Sequence, residues 1–351
     1  MSAPQRGTPT APLTVGVVGA GRVGTVLGAA LAAAGHRIVA VSARSARSRA
    51  RAARMLPGVP VLPPAHTARA VGTGVLLLTV PDDALAPLVD ELVAAGGVAP
   101  GQVAVHTSGA HGATVLRAAA EVGAGTVALH PAMTFTGRPS DLDRLPGVSY
   151  GASAPDRLRP LVTRLVADLQ GVVEWVHESD RLLYHAALAH GANHLVTLVN
   201  DAADGLRAAG VREPRRLLAP LLRAALDNAL GLGDDALTGP VARGDAGTVA
   251  GHLSRLAGDH PDWLETYRAL ARRSVVRAVA AGRLDPRAAG RLLDVLAGTG
   301  PGAAAEAATA EVATAEVATP DLDTAAPDAA PVSAGGAQVP ATPGRPWRAA
   351  R

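Results

Sequence analysis

The stretch Thr14 to Gly24, T-V-G-V-V-G-A-G-R-V-G, constrains this chain more than any other part of it. A β-branched apolar run breaks at Gly19, Gly21 and Gly24, then continues into Thr25-Val-Leu-Gly-Ala-Ala-Leu-Ala-Ala-Ala. That order reads as a strand, a tight turn and the start of a helix. Glycines at this spacing let backbone amides approach a pyrophosphate, and the positive end of the helix dipole favours the anion. The expected ligand is a dinucleotide, with Gly19, Gly21, Arg22, Val23 and Gly24 at its phosphates. A glycine-rich turn in some other α/β protein is the alternative.

At 351 residues the chain has room for two domains and a tail, and 48% hydrophobic residues make it globular. It has no cysteine, so disulfides, thiolate nucleophiles and Cys-based metal sites are excluded together. It has no lysine either, because all 33 of its Lys plus Arg are arginine, so no lysine can act as acid, base or Schiff-base former. A net charge of only +3 argues against a nucleic-acid partner. Met1 to Pro12 contains no apolar h-region and no stretch reads as a membrane span, which leads us to expect a soluble cytoplasmic protein without a membrane partner.

Further along, Val75-Leu-Leu-Leu-Thr-Val80 is apolar throughout, as is typical of a strand buried on both faces of a parallel sheet. His36 to Ser42, Val103 to Thr107, Thr126 to His130, Gly147 to Ala152 and Val172 to Val176 read as further strands. Helical patterns lie between them at Ser45 to Leu56, Ala84 to Ala95, Ala113 to Val122 and Asp156 to Leu169. The alternation is that of an α/β, doubly wound, mostly parallel (Rossmann) sheet. Beyond Glu178 only helical patterns occur: Asp180 to Ala209 as one long helix, then Glu213 to Leu230, Ala246 to Leu256, Pro261 to Ala281 and Pro286 to Leu296. The expected organisation is a flexible N-terminus (1–12), a Rossmann domain (13–177), an all-α domain (178–297) and a disordered Ala/Thr/Pro-rich tail (298–351).

The second strand ends in Ser42-Ala43-Arg44-Ser45, with no carboxylate where an NAD site places one for the ribose 2′-OH. A guanidinium and two hydroxyls suit a 2′-phosphate instead, so Ser42, Arg44 and Ser45 point to NADP(H) in preference to NAD. The competing view treats the arginines at 44, 47, 49, 51 and 54 as one solvated helix face. Val80-Pro81 and His106-Thr107-Ser108-Gly109 fall at strand C-termini, where an open sheet binds its ligand, which makes Val80, Pro81, Thr107 and Ser108 nicotinamide-side candidates. Their proline and glycine also suffice to end strands. His130, at the end of the next strand, is a substrate-binding candidate or else a buried histidine satisfied by backbone.

In the helical half, Tyr184-His185 and Asn193 lie on one helical run. His185 is the candidate proton donor, since free imidazole titrates near pH 6.5, and Asn193 would orient a substrate atom. His190 and His194 are spaced i, i+4, but no third ligand follows, so no metal site is expected. The loop Leu237-Thr238-Gly-Pro-Val-Ala-Arg243-Gly-Asp245 adds Thr238 and Arg243 as substrate-binding candidates, Arg243 for a carboxylate. Asp245 has the alternative role of capping the next helix.

Taken together, Gly19 to Gly24, Val80-Pro-Asp-Asp83, His106 to Gly109, Leu129-His-Pro131, Tyr184-His185 with Asn193, and Ala236 to Asp245 resemble a family of oxidoreductases that joins a Rossmann-like domain to a helical domain of unknown function, DUF2520. The resemblance spans roughly residues 13 to 297. It looks like a branch of the group containing 6-phosphogluconate, β-hydroxyacid and prephenate dehydrogenases, ketopantoate reductase and pyrroline-5-carboxylate reductase. It implies a reductase or dehydrogenase with its active site in the cleft between the two domains, acting on a small C=O or C=N substrate. It also implies a homodimer formed through the helices. Ketopantoate-reductase-like and prephenate-dehydrogenase-like activities are the alternatives within enzymes. The missing lysine removes the proton donor used by β-hydroxyacid dehydrogenases and typical ketopantoate reductases. His130-Pro-Ala-Met133 echoes the His-Pro-Met element of prephenate dehydrogenases with an alanine inserted. A non-catalytic NADP-binding sensor or scaffold is the alternative outside enzymes.

Overall fold

A computed structural model describes residues 11–298. The expected flexible N-terminus, up to residue 10, and the expected disordered tail, from residue 299, lie outside the described residues. The chain divides into two compact units, one running through Leu206 and the other starting at Arg207.

The first unit is built on seven strands: β1 (Thr14–Val18), β2 (Arg37–Ser42), β3 (Val75–Leu78), β4 (Val103–His106), β5 (Gly125–Pro131), β6 (Ser149–Ser153) and β7 (Val172–Trp175). Their spatial order is β2-β1-β3-β4-β5-β6-β7. Every neighbouring pair is parallel except β5 and β6. Helices α1 (Arg22–Ala33), α2 (Ala46–Met55), α3 (Pro64–Ala70), α4 (Asp82–Ala94), α5 (Arg117–Glu121) and α6 (Arg159–Asp168) connect them. The strands carry apolar side chains on both faces, so two cores form. Val15, Val17, Val105, Val127 and Leu129 pack with Leu27 and Leu31 of α1 on one side. Leu76, Leu78 and Ala104 pack with Leu85, Val89 and Leu92 of α4 on the other. Chain order reverses between β1 and its neighbours β2 and β3, and the crevice outside the strand C-termini at such a switch point is where open α/β sheets take ligands.

After β7 come α7 (Arg181–Leu188), a π-helical turn (Ala189–Asn193) and α8 (His194–Ala208). The single long helix expected over Asp180 to Ala209 is therefore interrupted. A π turn inserts one residue into the hydrogen-bond ladder without needing a breaker residue, so the apolar pattern gives no warning of it. Short helix α3 was not expected either. Pro63-Pro64 reads as punctuation, yet Pro64 occupies the first turn of α3, where its missing N–H costs nothing. The second unit continues with α9 (Pro214–Leu232), α10 (Gly239–Ala242), α11 (Ala246–Asp259), α12 (Pro261–Ala280) and α13 (Pro286–Ala297). Its core joins Val249, Leu253, Val275, Leu292 and Leu296.

Candidate active site

The three glycines of the β1–α1 turn do different work. Gly19 adopts φ 109°, and a Cβ there would lie 2.7 Å from the Thr79 carbonyl oxygen. At Gly24 a Cβ would collide with Thr79 Oγ1 and the Gly19 carbonyl oxygen, so this glycine permits close packing of α1 on the strand ends. Gly21 has an ordinary extended backbone, and the nearest protein atom to a Cβ there is 3.7 Å away. Among the described residues no contact crowds a side chain at Gly21, so the space beside its backbone is open. Gly21 is also the N-cap of α1, with no side-chain cap and no acidic residue in the first turn, leaving the positive helix end free. Ser42 supports the turn by accepting the Gly19 and Ala20 N–H groups on its carbonyl oxygen, at 3.2 and 2.9 Å.

A cavity of about 530 Å3 opens over this turn, lined among others by Gly21, Ser42, Arg44, Ser45, Val80 and Pro81. The structure thus gathers seven of the sequence candidates, Gly19 with these six, around one space. Ser45 also caps α2, accepting the Ser48 N–H, while the Ser48 hydroxyl accepts the Ser45 N–H. The capped N-terminus of α2, the Ser45 and Ser48 hydroxyls and Arg44 meet at one corner of the cavity. A dinucleotide fits these residues: an uncapped helix end and an unexplained glycine for the diphosphate, and a basic, hydroxyl-rich corner for a 2′-phosphate. Arg22 stands at the head of α1 beside Arg51, whose guanidinium donates to the Ala20 carbonyl at 3.1 Å. Burial, and then repulsion from Arg47, Arg22 and Arg54, lowers the Arg51 pKa. Val23 lies in the first turn of α1, half-buried.

A larger cavity, about 690 Å3, lies beside β6 and β7 under Trp175 and Arg159. It contains neither the glycine turn nor the histidines at the strand ends.

A second cluster forms at the C-termini of β4 and β5. His106 is fully buried; its Nδ1 accepts the Ser108 N–H at 3.2 Å, which leaves Nε2–H to donate to the Gly112 carbonyl at 2.9 Å. Burial chiefly, with the nearby Arg181 cation adding, lowers its pKa to about 4. The Ser108 hydroxyl accepts the N–H groups of Ala110 and His111, so it serves the turn, whereas Thr107 stays half-buried beside it. His130 places Nδ1 3.0 Å from the Tyr184 hydroxyl. Its pKa is also lowered to about 4, by burial first and then by Arg181 and His185. The His185 ring meets His130 edge-on, with centroids 5.9 Å apart. Gly109 makes this possible, because a Cβ on it would fall between the two rings, 2.5 Å from His185 Cδ2 and 3.1 Å from His130 Nε2.

The groups that hold this cluster together stand out in no sequence motif. Arg181 is buried, and its guanidinium donates to the carbonyls of Ser108 (2.7 Å), His111 (3.0 Å) and Gly151 (3.0 Å). Glu178 accepts the N–H groups of Ala113 (3.1 Å) and Thr114 (2.9 Å) and the Thr114 hydroxyl (2.8 Å). Burial raises the Glu178 pKa, but these bonds outweigh it and hold the carboxyl below its usual range. An acid and an arginine three residues apart, directly after the last strand, were the only available signal.

Asn193 ends the π-helical turn and is exposed; no hydrogen bond links it to His130, Tyr184 or His185. In the second unit Thr238 is the N-cap of α10 and Arg243 its C-cap, both exposed. Asp245 has the capping role: it accepts the Thr248 N–H at 3.0 Å and the Thr248 hydroxyl at 2.7 Å. Leu237 and Val241 of the same loop pack on the second core.

Residues 1–131 match the model of a Rossmann-like domain. Residues 148–274 match that of DUF2520, a domain of unknown function. The chain combines a Rossmann-like domain with a DUF2520 domain. The DUF2520 match takes in both β6–β7 and the helices through most of α12, so part of that domain builds the sheet. Among solved structures, a Bacteroides fragilis protein described as a candidate NADP oxidoreductase superposes with a TM-score of 0.63 at 23% identity, covering 75% of this chain and 98% of its own. A Thermotoga maritima protein gives 0.59 at 20% identity, covering 76% and 99%. A Plasmodium falciparum pyrroline carboxylate reductase with NADP bound gives 0.51 at 13% identity, covering 80% and 98%. At these identities the likeness is one of fold. No curated protein matches the sequence. Among the described residues no helix is long and apolar enough to cross a membrane.

Proposed function

We propose that this chain is an NADP-dependent oxidoreductase that moves a hydride to or from a small carbonyl or imine substrate. The observation that carries the proposal is Gly21, a glycine that no protein contact requires, at an uncapped helix N-terminus facing a cavity whose far corner holds Arg44, Ser45 and Ser48. The α1 amides would take the diphosphate, and the Arg44 corner the 2′-phosphate. When bound, the reduced cofactor would supply the hydride. Thr107 would border the nicotinamide, and the substrate would sit against His130 and His185 at the same edge of the sheet. His185 would hand a proton to the developing alkoxide or amine. The NADP oxidoreductase and pyrroline carboxylate reductase descriptions of similar folds agree with this chemistry.

The test is equilibrium binding of NADPH and NADH, followed by nicotinamide fluorescence. Losing the charge-assisted bonds of Arg44 and adding a repelling carboxylate, Arg44→Asp should weaken NADPH binding by about 10- to 100-fold, using about 1.5–3 kcal/mol for hydrogen bonds to charged groups. NADH binding should change little, and equal losses would refute the 2′-phosphate assignment.

We also propose a homodimer formed through the helical unit. Helix α9 exposes Leu217 and Leu221 on one face and Leu226 and Leu230 on the other, a pattern that in water needs a partner. Light scattering should give twice the chain mass.

A further inference from the structure

Tyr184 is half-buried, and its hydroxyl lies 3.0 Å from His130 Nδ1. Burial raises the phenol's pKa, opposed by the Arg181 cation and a backbone bond from Gly151, so the group keeps its proton at neutral pH. Nδ1 lies within reach of that proton as an acceptor. With the phenol donating, Nδ1 keeps its lone pair and the ring's own proton sits on Nε2. Among the described residues Nε2 has no hydrogen-bond partner and is not one of the buried, unpaired polar atoms, so it remains open to an incoming molecule.

The ring lies in the field of a buried cation. Arg181, buried behind Tyr184 with its guanidinium carbon 5.4 Å from the phenol centroid, acts on His130 from α7, as does His185. His106, itself neutral near pH 7, lies on β4, and Asp82 at the head of α4 opposes Arg181. Glu178 faces Arg181 but is occupied by the Ala113 and Thr114 amides.

We propose that Tyr184 locks His130 in its neutral, Nε2-protonated form, so that the site accepts an uncharged carbonyl oxygen and rejects a protonated imine as the hydride acceptor. This rests on the oxidoreductase function proposed above. An Nε2–H donor needs a lone pair to meet. A carbonyl oxygen has two, whereas an iminium nitrogen has none and brings its positive charge toward the Arg181 guanidinium. Hydride addition to the carbonyl carbon moves the π pair onto oxygen. That oxygen keeps the hydrogen bond from His130 and takes its proton from His185. The growing negative charge is then stabilised by a preorganised donor and by Arg181. Tyr184 is a positioning residue in this scheme, acting through His130.

Nitrogen-15 NMR of histidine-labelled full-length protein tests the lock directly, without cofactor. We expect His130 to be neutral from about pH 5.5 to 8, with Nε2 protonated and Nδ1 at the shift of a hydrogen-bonded acceptor. In Tyr184→Phe, Nδ1 should move to the shift of a free lone pair and the Nδ1–H tautomer should gain population. An imidazolium, or an Nδ1-protonated ring, in the wild type at pH 7 would overturn the proposal. The substrate arm follows NADPH consumption with pyruvate, butanal and 1-pyrroline at pH 7. Turnover of a carbonyl probe at least 10-fold above 1-pyrroline supports the proposal. Preference for 1-pyrroline, or NADPH binding with no carbonyl turnover, refutes the substrate assignment. Absence of NADPH binding would instead refute the proposed function, and the NMR result would still decide the lock.

Discussion

Acid should weaken this fold through two histidines, and the His106 share can be isolated. His106 is held neutral in the native state, with its pKa lowered from 6.5 to about 4, mainly by burial. An unfolded chain takes up a proton on this residue below about pH 6.5, while the native chain does not do so until about pH 4. The unfolded state binds more protons throughout that window, so His106 makes stability fall as pH falls, by about 1.4 kcal/mol per pH unit. From about pH 6.5 to about pH 5 the loss is roughly 2 kcal/mol. His130 has the same shift and adds a similar slope. Glu178 and Asp141 do not confuse this window, because their hydrogen bonds keep both carboxyls below the usual range. Urea unfolding followed by circular dichroism, across that window, should give wild-type and His106→Gln stability curves whose slopes differ by one proton. The variant keeps an N–H for the Gly112 carbonyl, so its loss of stability at neutral pH should be modest, but the slope comparison does not depend on that. Parallel curves would show that His106 is not held neutral and would refute the burial argument.

Two further outcomes separate structure from binding. Gly24→Ala should lower the melting temperature sharply, since the methyl meets Thr79 and Gly19, whereas Gly21→Ala should melt within a few degrees of wild type and lose NADPH affinity in fluorescence titration. Arg181→Met should cost about 4 kcal/mol in urea unfolding, because three carbonyl oxygens lose a charged donor worth about 1.5–3 kcal/mol each, partly recovered by water.

The cofactor end of the site was legible because its logic is local. Gly19, Gly21 and Gly24 lie within six residues, and Ser42 to Ser45 follow directly on a strand whose apolar run is plain. The substrate end was legible only as separate names. His130 and Tyr184 are 54 residues apart in sequence, and Arg181 reaches Ser108 across 73, so their meeting depends on the β5–β6 pairing and on where α7 crosses the strand ends. Residue types at such separations carry no pattern a sequence can display. The interruption at Ala189–Asn193 was invisible for a different reason: a π turn uses the same side chains as an α-helix and shifts the faces that follow it. Asp245 shows the reverse case, where the less exotic role, a helix cap satisfied by Thr248, was already readable from its position before Ala246.

The most direct test of the central claim is a crystal structure of the full chain grown with NADPH. The account expects the diphosphate on the amides of Gly21 and Arg22, the 2′-phosphate between Arg44 and Ser45, and the nicotinamide beside Thr107 on the side of His130. NADPH bound elsewhere, or a diphosphate away from the Gly21 amide, would contradict it.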